Sequence, residues 1–171
     1  MSDNEKEHHQ RRRHGRSRSA SRLAVVQALY QMEMSGQDSE SAIEEFIEHR
    51  IGQELEGGHY AEADHKYFAN IVRGVVAQQT EIDQTLAQAT GKSWPFDRID
   101  TLIRAILRAS AYECLENKNV PLRVIVDEYM NVAAAFYEHG SHEMRFLGGN
   151  LFQVAREFRP DDAGALEQTK P

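Results

Sequence analysis

From Leu23 to Phe158 the apolar residues recur at intervals of three and four. Nowhere do they alternate singly with polar ones between hairpin turn signals. That spacing lays a stripe along a helix and leaves nothing to build the inner face of a sheet. The chain is therefore restricted to an all-α fold of six or seven helices. With 171 residues and 40% hydrophobic content it has material for one domain or two small packed subdomains.

Breaks in the periodicity mark the elements. Ser19 or Ser21 can cap a first helix over about 20–35, carrying Leu23, Val26, Ala28, Leu29, Tyr30 and Met32 or Met34 and stopping near Gly36. Asp38 or Ser39 opens a second, with Ile43, Phe46, Ile47, Ile51 and Leu55 as its stripe and Gly57-Gly58 as its end. A long pattern from about Ala61 to Ala89 reads as one central helix, bent near Gly74. Trp94-Pro95 breaks the chain, because the residue before proline is pushed out of helical geometry. Asp97 is expected to cap the most amphipathic segment, with Ile99, Leu102, Ile103, Ile106, Leu107, Ser110 and Ala111 on one face. Pro121 starts a further helix that runs to about Tyr137 with Val124, Ile125, Tyr129, Val132, Ala133 and Phe136 inward. A last helix covers about 142–158 and ends at Pro160, and the polar tail from Asp161 is expected to be loose.

Charge is divided unevenly. The first 22 residues hold seven Lys/Arg (Lys6, Arg11, Arg12, Arg13, Arg16, Arg18 and Arg22) against three acids, a net of +4, so the rest of a chain of net charge −7 carries −11. A basic arm on an acidic globule is suited to local contact with nucleic-acid phosphates. Six of the seven cations are Arg, whose planar fork grips phosphate at two points and stacks on unpaired bases, which favours RNA. The same run would also serve as a solubilising tail. Residues 1–18 lack large apolar side chains apart from Met1, so they are expected to be a disordered arm, followed by a helical body over 19–160 and a flexible tail over 161–171. Tyr30 could stack a base, although packing in the core is the expectation for it.

Other chemistry is poorly supported. Gly57-Gly58 and Gly148-Gly149 fit no nucleotide-binding loop, Cys114 has no partner for a disulfide or a zinc site, and His139 and His142 straddle a turn. Glu44, Glu45 and Glu138 lack an acid/base counterpart, so neither a catalytic residue, a metal site nor a cofactor is expected. Cys114 reads as a buried structural thiol in a reducing compartment. The charged N-terminus and the lack of a run of about 20 apolar residues point to a soluble cytoplasmic protein away from membranes.

Four stretches in order resemble the NusB family of bacterial transcription antitermination factors. Arg16 to Tyr30 (RSRSASRLAVVQALY) resembles a basic arm leading into the family's "A-x-QALY" helix, and Tyr67 to Val75 (YFANIVRGV) resembles its "YF…GV" segment. Ile103 to Glu113 (IRAILRASAYE) resembles "A-x-LR-x-A-x-YEL", and Val120 to Glu128 (VPLRVIVDE) resembles "VP…AI-NEA". Together they cover about residues 16–158. The last helix departs from the pattern: where the family usually reads "FVNGVLD", this chain reads FLGGNLF from Phe146 to Phe152, with Gly148 replacing an Asn and a longer connection over Tyr137–Glu143.

The resemblance implies two packed three-helix bundles and a protein that is not an enzyme. It implies a heterodimer with NusE, the ribosomal small-subunit protein, which binds the single-stranded boxA element of nascent ribosomal RNA and keeps RNA polymerase in an antitermination complex. By position Arg16, Arg18, Arg22 and Tyr30 match its RNA-contacting arm and first helix, and Phe146 its last-helix RNA surface. Ile103, Arg104 and Arg108 lie on the helix resembling its partner-contacting one. Arg11, Arg12 and Arg13 extend the arm on physical grounds alone. Whether the free protein forms a homodimer stays open, as does a plain protein-interaction module with incidental RNA affinity. NusB-like domains joined to RNA methyltransferases would need a further cofactor-binding α/β domain with its glycine-rich loop.

Overall fold

The computed structural model describes residues 3–51, 63–91 and 95–167. Among them lie eight α-helices, two 3-10 turns and no strand: α1 (Asp3–Ser35), α2 (Ser39–His49), α3 (His65–Ala77), α4 (Gln79–Thr90), α5 (Thr101–Glu116), α6 (Leu122–Ala134), α7 (His142–Phe158) and the single turn α8 (Gly164–Glu167). The all-α expectation holds, with seven helices of 11 residues or more. No helix of the described residues is long and apolar enough to cross a membrane. The chain divides into two compact units, Met1–Val72 and Arg73–Pro171, with the boundary inside α3.

In the first unit α1 packs on α2, and Phe46 of α2 stacks on Phe68 of α3 with ring centroids 5.7 Å apart. Val25, Val26 and Ala28 of α1 join them in the core. Gly36 ends α1 at φ +74°, a left-handed conformation that glycine alone adopts without strain, and its N–H donates to Met32 O at 2.9 Å. Asp38 then caps α2 by accepting from Ser41 N at 3.0 Å. Ser41's hydroxyl and then its backbone hold the Asp38 carboxyl below its ordinary range.

Two boundaries in this unit differ from expectation. Helix α1 begins at Asp3 and not near Ser19, although residues 5–16 are exposed throughout. Lack of burial argues against a free-standing helix, but extending an existing one needs no new nucleus, and Glu, Lys, Gln and Arg all favour it. Helix α2 stops at His49, where Ile51 N turns back onto Phe46 O and Ile51 is buried. Leu55, Gly57, Gly58 and Trp94 lie outside the described residues.

The second unit centres on α7, which packs against α4, α5 and α6, while α5 also lies on α4 and α6. It holds the four long helices α4 to α7 besides the end of α3. Its interior is Ile82, Leu86, Ile106, Leu107, Ile125, Tyr129, Leu147 and Leu151. The expected continuous helix over 61–89 is interrupted at Gln78. No residue from Val76 to Glu81 is buried, so packing does not hold that stretch straight. Gly74 answers a different need: a Cβ there would fall inside the Tyr112 ring.

Further on, Asp100 and not Asp97 caps α5, accepting from Leu102 N at 2.9 Å. Phe96–Arg98 forms a 3-10 turn and Ile99 is extended, which delays the helix by one turn. On α6, Leu122 and Val126 face inward and Val124 (44% exposed) does not; Phe136 (37%) lies past the end of the helix at Ala134 and is exposed as well. Nor is the described part of the tail, residues 161–167, loose. Buried Arg159 donates to Asn117 O, Lys118 O and Val120 O of the α5–α6 turn and to Asp162, and Leu166 is buried.

Candidate nucleic-acid interface

At 100° per residue, positions 12, 16, 27, 30 and 34 of α1 fall within one narrow sector of the helix. Arg12, Arg16, Gln27, Tyr30 and Met34 are all exposed, Tyr30 at 39% and Met34 at 64%. The rise of 1.5 Å per residue sets Arg12 about 27 Å from Tyr30 along the axis. One side of one helix thus offers phosphate-binding forks at one end and an amide, a phenol ring and a thioether at the other. Tyr30 escapes the core because Val25, Val26, Ala28 and Leu29 already fill the inward side. Arg11 and Arg13, also exposed, project to either side of the stripe.

The root of the arm is fixed by the start of α3. Asp64 caps α3 by accepting from Tyr67 N at 2.9 Å, and its carbonyl accepts the Ser21 hydroxyl at 2.9 Å. Tyr67 lies under two cations: the Arg18 guanidinium carbon is 5.0 Å from its ring centroid and that of Arg22 is 5.5 Å. Arg22 Nη2 also donates to Tyr67 Oη at 2.9 Å. Arg22 is only 4% exposed, so it supports the site from within and is not offered to phosphate as the sequence suggested. Arg18 is half-buried. Tyr67 and Asp64 were not recognised from sequence as parts of this site; the signal was the Arg18/Arg22 pair, two like charges at i,i+4 that call for a shared partner.

The three residues on α5 expected at a partner surface are engaged inside the second unit. Ile103 is buried. Arg104 Nη1 donates to Ile99 O at 2.7 Å and to Asp97 O at 3.1 Å, tying down the 3-10 turn. Arg108 pairs with Asp83 of α4 and lies over Phe96. Arg108 reaches Asp83, 25 positions away, which periodicity does not reveal, whereas the Arg104 acceptors Ile99 and Asp97 lie only 5 and 7 positions back. Phe146 of α7 is half-buried, and its carbonyl accepts from Asn150 Nδ2 at 2.8 Å.

His142 is exposed and its Nδ1 lies 3.0 Å from Arg145 Nη2. Among the described residues no group of three or more His, Cys, Asp or Glu is placed to hold a metal ion.

The NusB family model matches residues 19–156. The chain belongs to the NusB family. A relative named transcription antitermination protein NusB from Rhodopseudomonas palustris (strain BisB5) is 46% identical over 143 residues, covering 84% of this chain and 81% of that one. A protein of the same name from Agrobacterium fabrum is 45% identical over 142 residues, covering 83% and 85%. Another from Caulobacter vibrioides is 44% identical over 142 residues, covering 83% and 94%. The solved structure of T. maritima NusB is similar with a TM-score of 0.68 at 26% identity, covering 86% of this chain and 96% of that one. The NusB match takes in Arg22, Tyr30, Ile103, Arg104, Arg108 and Phe146, whereas Arg11, Arg12, Arg13, Arg16 and Arg18 precede it.

Proposed function

We propose that this NusB-family protein is a cytoplasmic, non-enzymatic transcription antitermination factor. With NusE, the ribosomal small-subunit protein, it binds single-stranded boxA RNA on nascent ribosomal RNA transcripts and keeps RNA polymerase from terminating early. The observation that carries this reading is the exposed stripe of α1, where Arg12 and Arg16 lead to Gln27 and Tyr30 on one side of one helix. The antitermination name of its relatives supports the process.

In this reading the arm, residues 1–18, supplies the phosphate contacts through Arg11, Arg12, Arg13, Arg16 and Arg18. Phosphate contacts fix register, and the exposed Tyr30 ring takes an unstacked base. Arg22 holds the root of the arm. Phe146 is proposed as an additional base contact on α7. On α5, Ile103, Arg104 and Arg108 shape the surface offered to NusE by holding that helix and its entry turn in place, without being the contact atoms themselves.

The test is fluorescence anisotropy with a boxA-like RNA and a scrambled one, each with and without NusE, on the full chain and on a version lacking residues 1–16, which keeps the Ser17–Arg22 anchor. Selective binding that NusE strengthens and the truncation weakens is expected. Equal binding to both RNAs, with NusE binding retained, would make the protein an interaction module with incidental RNA affinity.

A further inference from the structure

We infer that Tyr67 is a positioning residue for RNA binding: its ring holds Arg18 at the root of the basic arm in the orientation that meets phosphate. This rests on the RNA-binding reading above.

Arg18 and Arg22 lie four residues apart on α1, where like charges repel. Both guanidiniums are drawn to the Tyr67 ring, at 5.0 and 5.5 Å from its centroid, and the negative ring face offsets part of that repulsion. The two cations are held differently. Arg22 is buried and donates to Tyr67 Oη, so it is committed to the fold. Arg18 is half-buried, and its Nε lies out of solvent with no hydrogen-bond partner, so the ring and not an acceptor steadies that edge of the fork. Tyr67 is itself fixed, since Asp64 receives its N–H while the Asp64 carbonyl receives the Ser21 hydroxyl. The result is a guanidinium whose direction is set by the first turn of α3. A pre-oriented cation loses less freedom on meeting a phosphate than one on a free side chain.

The experiment is a double-mutant cycle on the full chain, with affinity for a single-stranded uridine oligonucleotide measured across a salt series and melting followed in parallel. Tyr67→Leu is expected to weaken binding about fivefold, the scale of one cation–π contact at a partly exposed site. It should also make the log-affinity against log-salt slope shallower by about 0.7, one phosphate contact on a single strand. In an Arg18→Ala background the same change should do nothing further. Equal loss in both backgrounds would overturn the inference, because a purely structural role acts whether or not Arg18 is present. Tyr67→Phe, which keeps the ring and loses the hydroxyl, should bind within about twofold of the parent. A loss in that variant as large as in Tyr67→Leu would also overturn it, and this second variant serves if the leucine chain melts at assay temperature. Uridine binding without boxA preference would sink the antitermination reading while leaving the cycle readable; no binding to either RNA would sink both.

Discussion

The carboxylate of Asp83 on α4 takes two hydrogen bonds from one guanidinium, that of Arg108 on α5, Nε to Oδ1 and Nη2 to Oδ2, each at 2.8 Å. Phe96 lies on the same guanidinium, 5.5 Å from ring centroid to Cζ. The side chains are 12% and 27% exposed, so water screens the pair only in part. Removing one partner of a fully buried pair costs about 3–5 kcal/mol, and partial exposure brings the expected loss for Arg108→Ala to about 2 kcal/mol in urea unfolding. Arg108→Lys should recover less than half, since an ammonium cannot make the two-point contact. NusE binding by the folded fraction should be little changed; full stability with NusE binding abolished would restore Arg108 as a direct contact.

Two glycines in the second unit should respond in opposite directions to alanine. A Cβ at Gly74 would collide with the Tyr112 ring, so Gly74→Ala is expected to cost about 2 kcal/mol or more, the scale of overpacking. Shrinking the neighbour with Tyr112→Leu should recover part of the loss. Gly149 sits exposed inside α7 with nothing within 4 Å of a Cβ, so Gly149→Ala should stabilise by about 0.5–1 kcal/mol. Thermal melting of the three variants decides both points.

Burial pushes the Cys114 thiol from its ordinary 9.0 up to about 12, against the pull of the Arg159 guanidinium and with reinforcement from Glu113. A disulfide-exchange reagent at pH 8 should therefore label native Cys114 at least about a hundredfold more slowly than the urea-unfolded chain, through rare opening alone. Folding favours the neutral thiol, so this contribution to stability is complete below pH 9 and declines as the pH rises from 9 toward 12.

Helix identities were legible because apolar spacing reports burial directly: α7 occupies residues 142–158 as its pattern requires. Boundaries set by local chemistry were less so. Asp97 and Asp100 both fit a cap, and only the extended Ile99 between them decides which one serves. The candidate site was half legible. Charge alone identified the arm, but which of its arginines face solvent depends on the arrival of Tyr67 and Asp64 from α3, more than forty positions away, as the Arg22–Tyr67 separation of 45 shows. Periodicity is blind to such long-range partners, and for the same reason Arg108 reads as a surface charge when it is a half-buried strut to Asp83.

Arg16 and Arg22 belong to one basic run yet should behave as different kinds of residue. Arg16 is exposed, six residues before a guanidinium that is buried and hydrogen-bonded to Tyr67. Arg12→Ala with Arg16→Ala removes only solvated charge, so melting should stay within about 1 °C and unfolding free energy within about 0.5 kcal/mol. RNA affinity should fall, with the salt slope shallower by about 1.4, two phosphate contacts on a single strand. Arg22→Ala instead removes that donor from Tyr67 Oη in a part-buried setting, and should cost about 1–2 kcal/mol of stability. Its effect on RNA should be the smaller one once allowance is made for the unfolded fraction. If Arg22→Ala left melting unchanged and flattened the salt slope, Arg22 would be a phosphate contact after all, and the root of the arm would have to open when RNA binds.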